Sequence, residues 1–200
     1  MTPSEPRPLP ATQQPGKKLR RRILIGPALL VGVILGSLRP LGLIRPFSVP
    51  TVAMTPAIAR GDHIMMEGVT FLVRKPQRGD IVVFRRDGIA SLPADAIYNK
   101  RVVGEPGERL SISDGKLYVN GRHVALRNGS GEIHYVFLPG STYLASADDT
   151  VTVPEGHYFV LGDNSSNSSD SRNWGFLPAT NVMGRVSVCF WPPSRIGAVR

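Results

Sequence analysis

The sequence contains a single cysteine, Cys189, and therefore cannot form a disulfide bond within the chain. Cys189 stands in the strand-like run "VSVCFWPP", where a small buried hydrophobic residue is expected. The four histidines, His63, His123, His134 and His157, have none of the close spacings typical of metal ligands. The sequence thus predicts no internal disulfide, no metal site and no cofactor.

Acidic residues are scarce near the N-terminus. Residues 1–22 hold six Lys or Arg and one Glu, so +5 of the net charge of +9 lies there. The positive charge forms a block, "KKLRRR", whereas nucleic-acid binding requires basic residues spread over a folded face with aromatic residues between them. Residues 1–16 are also polar and Pro-rich. We therefore predict a cytoplasmic tail over residues 1–22 and no nucleic-acid partner.

The basic block is followed by the longest apolar run of the chain. Ile23 to Leu38 carries no charge, and apolar residues resume after Arg39 as far as Ile44. A membrane-spanning helix needs about 20 such residues, and Arg39 could extend its side chain to the headgroups. A cleaved signal peptide has the same order of segments, but no small-x-small site lies near the end of this run.

We therefore predict one transmembrane helix over residues 23–44. The basic block places the N-terminus in the cytoplasm and residues 45–200 on the outer, periplasmic side of the cell (inner) membrane.

The rest of the chain lacks any ten-residue amphipathic helix pattern, which favours an all-β fold. Short β-branched or aromatic runs such as "DIVVFRR" and "GHYFVLGD" are separated by Gly, Pro or Asp. The pairs "DG" (114–115) and "NG" (120–121) indicate two tight hairpins on either side of "KLYV". We predict an antiparallel β domain over residues 45–200.

Three polar segments stand out against this scaffold: "RGDIVVF" (78–84), "NKRVVGEPGERL" (99–110) and "GDNSSNSSDSRNWGFLP" (162–178). Lys100 precedes an apolar strand, where a lysine is usually a surface residue. If Lys100 is buried instead, desolvation lowers its pKa and its neutral amine becomes a usable general base. The long polar loop ends in aromatic residues and proline, which favours packing over flexibility.

Together with "VPTVAMTP" (49–56), these segments resemble the type I signal peptidases (S26 type) in their order and in their position behind an anchor. The resemblance covers residues 17–197. It implies the antiparallel β domain shared with LexA-type repressors. It also implies a membrane-bound serine endopeptidase that removes signal peptides from exported preproteins with a Ser/Lys dyad.

The resemblance also implies roles for four residues of the second half of the chain. Lys100 falls at the general base, and Ser168 falls at the serine that orients this lysine. Asp170 and Arg172 fall at an ion pair that supports the site from behind. Ser165 and Ser166 replace the Arg-Asp pair common in the family, which removes two charges near the site.

The family pattern around the nucleophile reads Pro-Ser-x-Ser-Met-x-Pro, and its second serine attacks the substrate. Here Ala53 stands at that position, and alanine cannot attack a carbonyl. The resemblance places Thr51 at the residue that helps to stabilise the oxyanion. Met54 and Pro56 fall at the residues that shape the nucleophile's turn.

Three explanations for Ala53 remain open. In the first, the protein is a relative that does not cleave or uses altered chemistry, and in the second, the chain is an engineered knock-out. Alternatively, Thr51 or Thr55 could serve as nucleophile, because residues i and i+2 of an extended segment share a face. Each would lie about 6–7 Å from position 53, whereas nucleophile and base must approach within about 3 Å.

The sequence leaves two functions to compare. The first is a signal peptidase with restricted turnover, and the second is a binding protein that holds signal-peptide-like segments without cutting them. A third function, a LexA-type repressor, is disfavoured, because a basic tail and an apolar run stand where its DNA-binding domain would be.

Overall fold

The structure is a computed structural model that describes residues 32–33, 36–37, 41–93 and 96–199. The predicted tail (1–22) and most of the predicted anchor (23–44) lie outside the described residues. Residues 32–33 and 36–37 are helical. Within the described ranges, no helix has the length and apolar character needed to cross a membrane.

The described part of the chain forms strands that pair antiparallel throughout. The strands are β1 (Ile44–Ser48), β2 (His63–Glu67), β3 (Ile81–Arg85), β4 (Ile97–Gly104), β5 (Arg109–Ser113), β6 (Lys116–Val119), β7 (Arg122–His123), β8 (Arg127–Asn128), β9 (Gly131–Glu132), β10 (Thr150–Thr152), β11 (His157–Leu161), β12 (Leu177–Pro178), β13 (Val182–Trp191) and β14 (Gly197–Ala198). One α-helix, α1 (Ser171–Trp174), and short 3-10 helices at Val69–Leu72, Ser165–Asn167, Ala179–Asn181 and Pro193–Arg195 complete these elements. The predicted antiparallel all-β fold is confirmed.

The larger sheet has the strand order β1-β2-β13-β3-β4-β11-β12, and β14 pairs with β13. A smaller sheet has the order β10-β5-β6-β7, and β8 pairs with β9. Apolar residues of β4, β5, β6 and β11 form one core cluster, and residues of β2, β3 and β13 join Met54 and Ile58 in another. The alternation of buried and exposed residues in β2 and β5 shows why these runs form half-buried strands.

Both predicted hairpins are present in the smaller sheet. Asp114 and Gly115 have φ of 49° and 73°, and Asn120 and Gly121 have φ of 51° and 75°. Two consecutive positive φ values match the tight turns that join right-twisted strands. The first turn pairs Ser113 with Lys116 and so sets the register of β5 and β6.

Residues 41–44, the C-terminal end of the predicted transmembrane helix, are not helical. Residues 41–43 form a turn and bend, and Ile44 begins β1, where it pairs with Glu67 of β2. The carbonyl of Leu43 accepts a hydrogen bond of 2.8 Å from the backbone N–H of Gly68. The backbone groups of β2 therefore hold Ile44 in the sheet, and sequence analysis did not predict β1.

Candidate active site

The segment that carries Ala53 is a turn that is anchored in the core. The backbone N–H of Thr55 donates to Val52 O at 3.0 Å, and that of Ile58 donates to Met54 O at 2.9 Å. The Met54 side chain is buried in the same core cluster as Ile58. Ala53 itself is 8% exposed. The turn thus fixes the position where the family pattern has its nucleophile.

This turn geometry changes the expectation for the two threonines. Thr51 and Thr55 do not lie in one extended segment, because the chain turns between them. Thr51 is exposed and lines the cleft described below, but Thr55 does not line it. Of the two threonines, the structure therefore brings only Thr51 to the site.

Lys100 lies in β4 and pairs with Val82 of β3. It is 6% exposed, and this burial lowers the pKa of its amine, with attraction by Asp170 as the smaller, opposing cause. Lys100 Nζ donates a hydrogen bond of 3.2 Å to the backbone carbonyl of its neighbour Asn99. A buried lysine with a lowered pKa supplies more neutral amine near pH 7 than an exposed one does.

A cleft with a volume of about 350 Å³ joins three of the sequence-predicted site residues, Thr51, Ala53 and Lys100. Its walls come from the turn, from the start of β4 and from the polar loop. The lining residues are Pro50, Thr51, Val52, Ala53, Ala96, Ile97, Tyr98, Asn99, Lys100, Asn167 and Ser169. Met54, Pro56, Ser168, Asp170 and Arg172 do not line the cleft.

Ser168 lies behind the cleft, between Asn167 and Ser169. It is 7% exposed, and Ser168 Oγ has no hydrogen-bond partner among the described residues. The hydrogen bond expected between Ser168 and Lys100 is therefore not present, and Lys100 Nζ donates to Asn99 O.

Gly162 lets the polar loop approach the turn closely. A Cβ atom at this position would lie 2.5 Å from Ala53 O and 2.6 Å from Ser168 Cβ, and it would overlap Ser168 Oγ. Atoms at these separations repel, so a larger residue at position 162 would separate the loop from the turn. The absence of a side chain at Gly162 is what permits Ser168 and the carbonyl of Ala53 both to pack against it.

Asn164 ties the loop to the turn with two hydrogen bonds. Its backbone N–H donates to Ala53 O at 3.1 Å, and its side-chain Nδ2 donates to Val52 O at 3.2 Å. Asn164 thus holds both carbonyls that flank the candidate nucleophile position. Sequence analysis assigned Asn164 no role, although the "GDN" motif contains it.

Asp170 and Arg172 form a bidentate ion pair, and both side chains are fully buried. Arg172 Nε and Nη2 donate to Asp170 Oδ1 and Oδ2 at 2.9 and 2.8 Å. Asp170 also accepts a hydrogen bond from the backbone N–H of Gly162 at 3.0 Å, so the pair fixes the start of the loop. The full set of partners compensates for the desolvation of both charges.

The remaining donors of Arg172 reach Ser165 and Val136. Arg172 Nη1 donates to Val136 O at 2.6 Å and to Ser165 Oγ at 2.9 Å, while Nη2 donates to Ser165 O at 2.8 Å. Ser165 Oγ also accepts from the backbone N–H of Val136. The serine that replaces the family's usual arginine is thus a buried acceptor for the ion pair.

A second buried ion pair, Arg101 with Asp163, was missed by sequence analysis. Arg101 Nε and Nη2 each donate to a carboxylate oxygen of Asp163 at 2.7 Å. Arg101 pairs in register with Leu161 of β11, two residues before Asp163. In the sequence, Arg101 and Asp163 carry opposite charges and each stands beside a strongly apolar run, and this was the signal that could have predicted the pair.

The described residues contain no group of three or more His, Cys, Asp or Glu side chains placed to hold a metal ion. Of the sequence-predicted site residues, Lys100 contributes an amine to the cleft and Thr51 contributes a hydroxyl, and Tyr98, Asn99, Asn167 and Ser169 add further polar side chains.

Comparisons with known proteins agree with the motifs. Residues 21–191 match the family described as "Signal peptidase, peptidase S26". The chain therefore belongs to the signal peptidase family of endopeptidases. It is 36% identical over 160 residues to thylakoidal processing peptidase 1 of Arabidopsis thaliana, covering 77% of this chain and 44% of that protein. It is 35% identical over 150 residues to probable signal peptidase I-2 of Synechocystis sp., covering 74% of this chain and 64% of the relative.

The chain thus spans less than two thirds of these two relatives. A second Synechocystis sp. protein, probable signal peptidase I-1, is 32% identical over 174 residues, which cover 86% of this chain and 83% of the relative. A crystal structure of a signal peptidase I from Enterococcus faecalis matches 57% of this chain and 99% of its own, with 33% identity and a TM-score of 0.43.

Proposed function

We propose that this protein is a membrane-bound signal peptidase I-type serine endopeptidase that binds signal peptides of exported preproteins and whose turnover is limited by Ala53. The observation that carries the proposal is that Lys100, which is buried, lines one cleft together with Ala53 and Thr51. The family relation supports the reaction class, and the site supplies the base.

The cleft suits the apolar, small side chains next to a signal-peptide cleavage site. Val52, Ala53 and Ile97 contribute apolar walls, and no carboxylate is among the described lining residues. A peptide in extended form could align along the start of β4, where backbone groups give affinity and shallow pockets give specificity.

The reaction at this site needs one hydroxyl that the chain lacks at position 53. With a serine there, Lys100 Nζ would take the hydroxyl proton while the oxygen attacks the scissile carbonyl. Thr51 and backbone N–H groups would stabilise the oxyanion, and one such donor is worth about 10²–10³ in rate. The proton held by Lys100 Nζ would pass to the leaving amine, which releases the mature protein, and water would then hydrolyse the acyl-enzyme to release the signal peptide.

The test is the substitution Ala53→Ser, assayed on a secretory precursor with the full chain. The parent chain should cleave poorly or not at all, and Ala53→Ser should raise the rate by several orders of magnitude. Ala53→Val, which adds volume without a hydroxyl, is the matched control and should show no gain. Brisk cleavage by the parent that is lost in Thr51→Val would instead identify Thr51 as nucleophile.

A second candidate function is a non-cleaving protein that binds signal-peptide-like segments, favoured by the methyl group of Ala53 in the wall of the cleft. Titration of a synthetic signal peptide separates the two. Saturable binding without product in both the parent and Ala53→Ser would support the binding protein. Absence of binding in both forms would contradict both functions.

The membrane topology is part of the proposal. The +5 tail and the apolar run support residues 1–22 in the cytoplasm, an anchor within residues 23–44 and residues 45–200 outside. Protease added to intact spheroplasts should degrade the β domain. Protection of the β domain under these conditions would contradict the topology and the proposed substrate.

A further inference from the structure

The amine of Lys100 has an unusual environment for a lysine in a peptidase-like site. Among the described residues, its one hydrogen bond is that to Asn99 O at 3.2 Å. No side chain in the described part of the chain hydrogen-bonds to Nζ, and Ser168 Oγ remains without a partner. The charged group acting on Lys100 is Asp170, whose carboxylate is already bound by Arg172.

The cleft gives this amine access to small molecules. Lys100 lines a volume of about 350 Å³ together with Ala53, Val52 and Ile97. This size is within the range of small-molecule sites, which are mostly apolar with few polar groups. Neither a carboxylate nor an arginine lines it in the described residues, so the polar groups beside the Lys100 amine are uncharged hydroxyl and amide groups.

We propose that Lys100 is a carbonyl-capturing amine that forms a Schiff base with small, uncharged aliphatic aldehydes in this cleft. Nζ attacks the carbonyl carbon and forms the C–N bond. The carbonyl oxygen takes two protons, both of them from the attacking amine by way of solvent, and leaves as water. The product is a C=N bond to Lys100, and the step needs no oxidant or reductant.

The chemistry requires a neutral amine with a free lone pair. Burial lowers the pKa of Lys100, and each unit of lowering raises the neutral fraction at pH 7 about tenfold. Lysines desolvated in apolar pockets are the group that proteins use for Schiff bases. Ala53 lines the same cleft as Lys100, and its methyl group offers no hydrogen-bond donor to the lone pair.

The experiment compares lysines within one sample of the purified full chain. The protein is incubated with propanal and cyanoborohydride at pH 7, and peptide mapping by mass spectrometry measures the initial rate of modification at each lysine. Lys75 and Lys116 are exposed and serve as internal references. Lys100 should react at least about tenfold faster than either reference. A rate at Lys100 equal to or below those of Lys75 and Lys116 would overturn the proposal.

The variant Ala53→Ser tests the role of the missing hydroxyl. It should lower the rate at Lys100 about tenfold and leave the rates at Lys75 and Lys116 unchanged, with thermal unfolding confirming that both forms are folded. Equal rates at Lys100 in both forms would overturn the part assigned to Ala53. This inference does not depend on signal-peptide binding, so failure of propanal capture and failure of peptide binding are separate results.

Discussion

Lys100 and Arg172 are both buried cations near one loop, but their surroundings are opposite. Two nitrogens of Arg172 donate to the carboxylate of Asp170, and three further hydrogen bonds of at most 2.9 Å reach other acceptors. Lys100 has one backbone carbonyl at 3.2 Å, and burial lowers its pKa. The paired cation fixes the structure of the loop, whereas the unpaired one remains available for chemistry in the cleft.

The largest effect that separates the two cations should appear in catalysis. In the Ala53→Ser background, Lys100→Met should remove the cleavage gained, since general-base catalysis contributes about 10²–10⁴ in rate. Precursor cleavage measures this, with Lys116→Met in the same background as a matched surface control. Cleavage that survives Lys100→Met would show that another group accepts the proton.

The second effect concerns the paired cation and stability. Arg172→Met should lower the free energy of unfolding by about 3–5 kcal/mol, because Asp170 would be left as a buried, unpaired charge. Denaturant unfolding measures the loss. The control is Arg185→Met, whose partly exposed pair with Glu67 should contribute about 0–1 kcal/mol. Similar losses for both variants would contradict the structural role of Arg172.

A third substitution tests the contact at Gly162 between the polar loop and the turn that carries Ala53. Gly162→Ala should cost about 1–3 kcal/mol of stability, because its Cβ would overlap Ser168 and Ala53 O. In Gly129→Ala the new Cβ meets no atom within 4 Å, and stability should change by less than about 0.5 kcal/mol. Denaturant unfolding of both variants provides the comparison. Equal values would mean that the loop and the turn are not held this closely.

The smallest expected effect is a gain in the free energy of unfolding, whereas the two preceding substitutions lower it. Because the pKa of Lys100 is lowered in the folded state, the unfolded chain binds more protons between that pKa and about 10.4. The stability of the parent therefore falls as pH decreases through this window. Lys100→Met should be more stable than the parent, by a margin that grows as pH falls from about 10. A margin independent of pH would argue against a lowered pKa.

The sequence carried enough information to predict many of the strands and three residues of the cleft. Alternating apolar residues specify β2 and β5 locally, and the "DG" and "NG" pairs specify the turns on either side of β6. The motif match predicted that Thr51, Ala53 and Lys100 lie at one site, and all three line the cleft.

Other features depend on contacts between distant parts of the chain. β1 exists because β2 supplies its hydrogen bonds, and its own sequence, "IRPFS", gives no clear strand pattern. The direction of the Lys100 side chain toward Asn99 O, and the turn that separates Thr51 from Thr55, are set by packing that spacing alone does not encode.

The hydrogen bonds of Asn164 have a consequence for the order of events during folding. Asn164 Nδ2 and Val52 O belong to residues 112 positions apart, so the cleft closes only when both ends of the β domain are present. Such a contact carries a loop-closure cost that contacts between neighbouring residues do not carry. A chain synthesised from its N-terminus would therefore hold an incomplete cleft until Asn164 had been added.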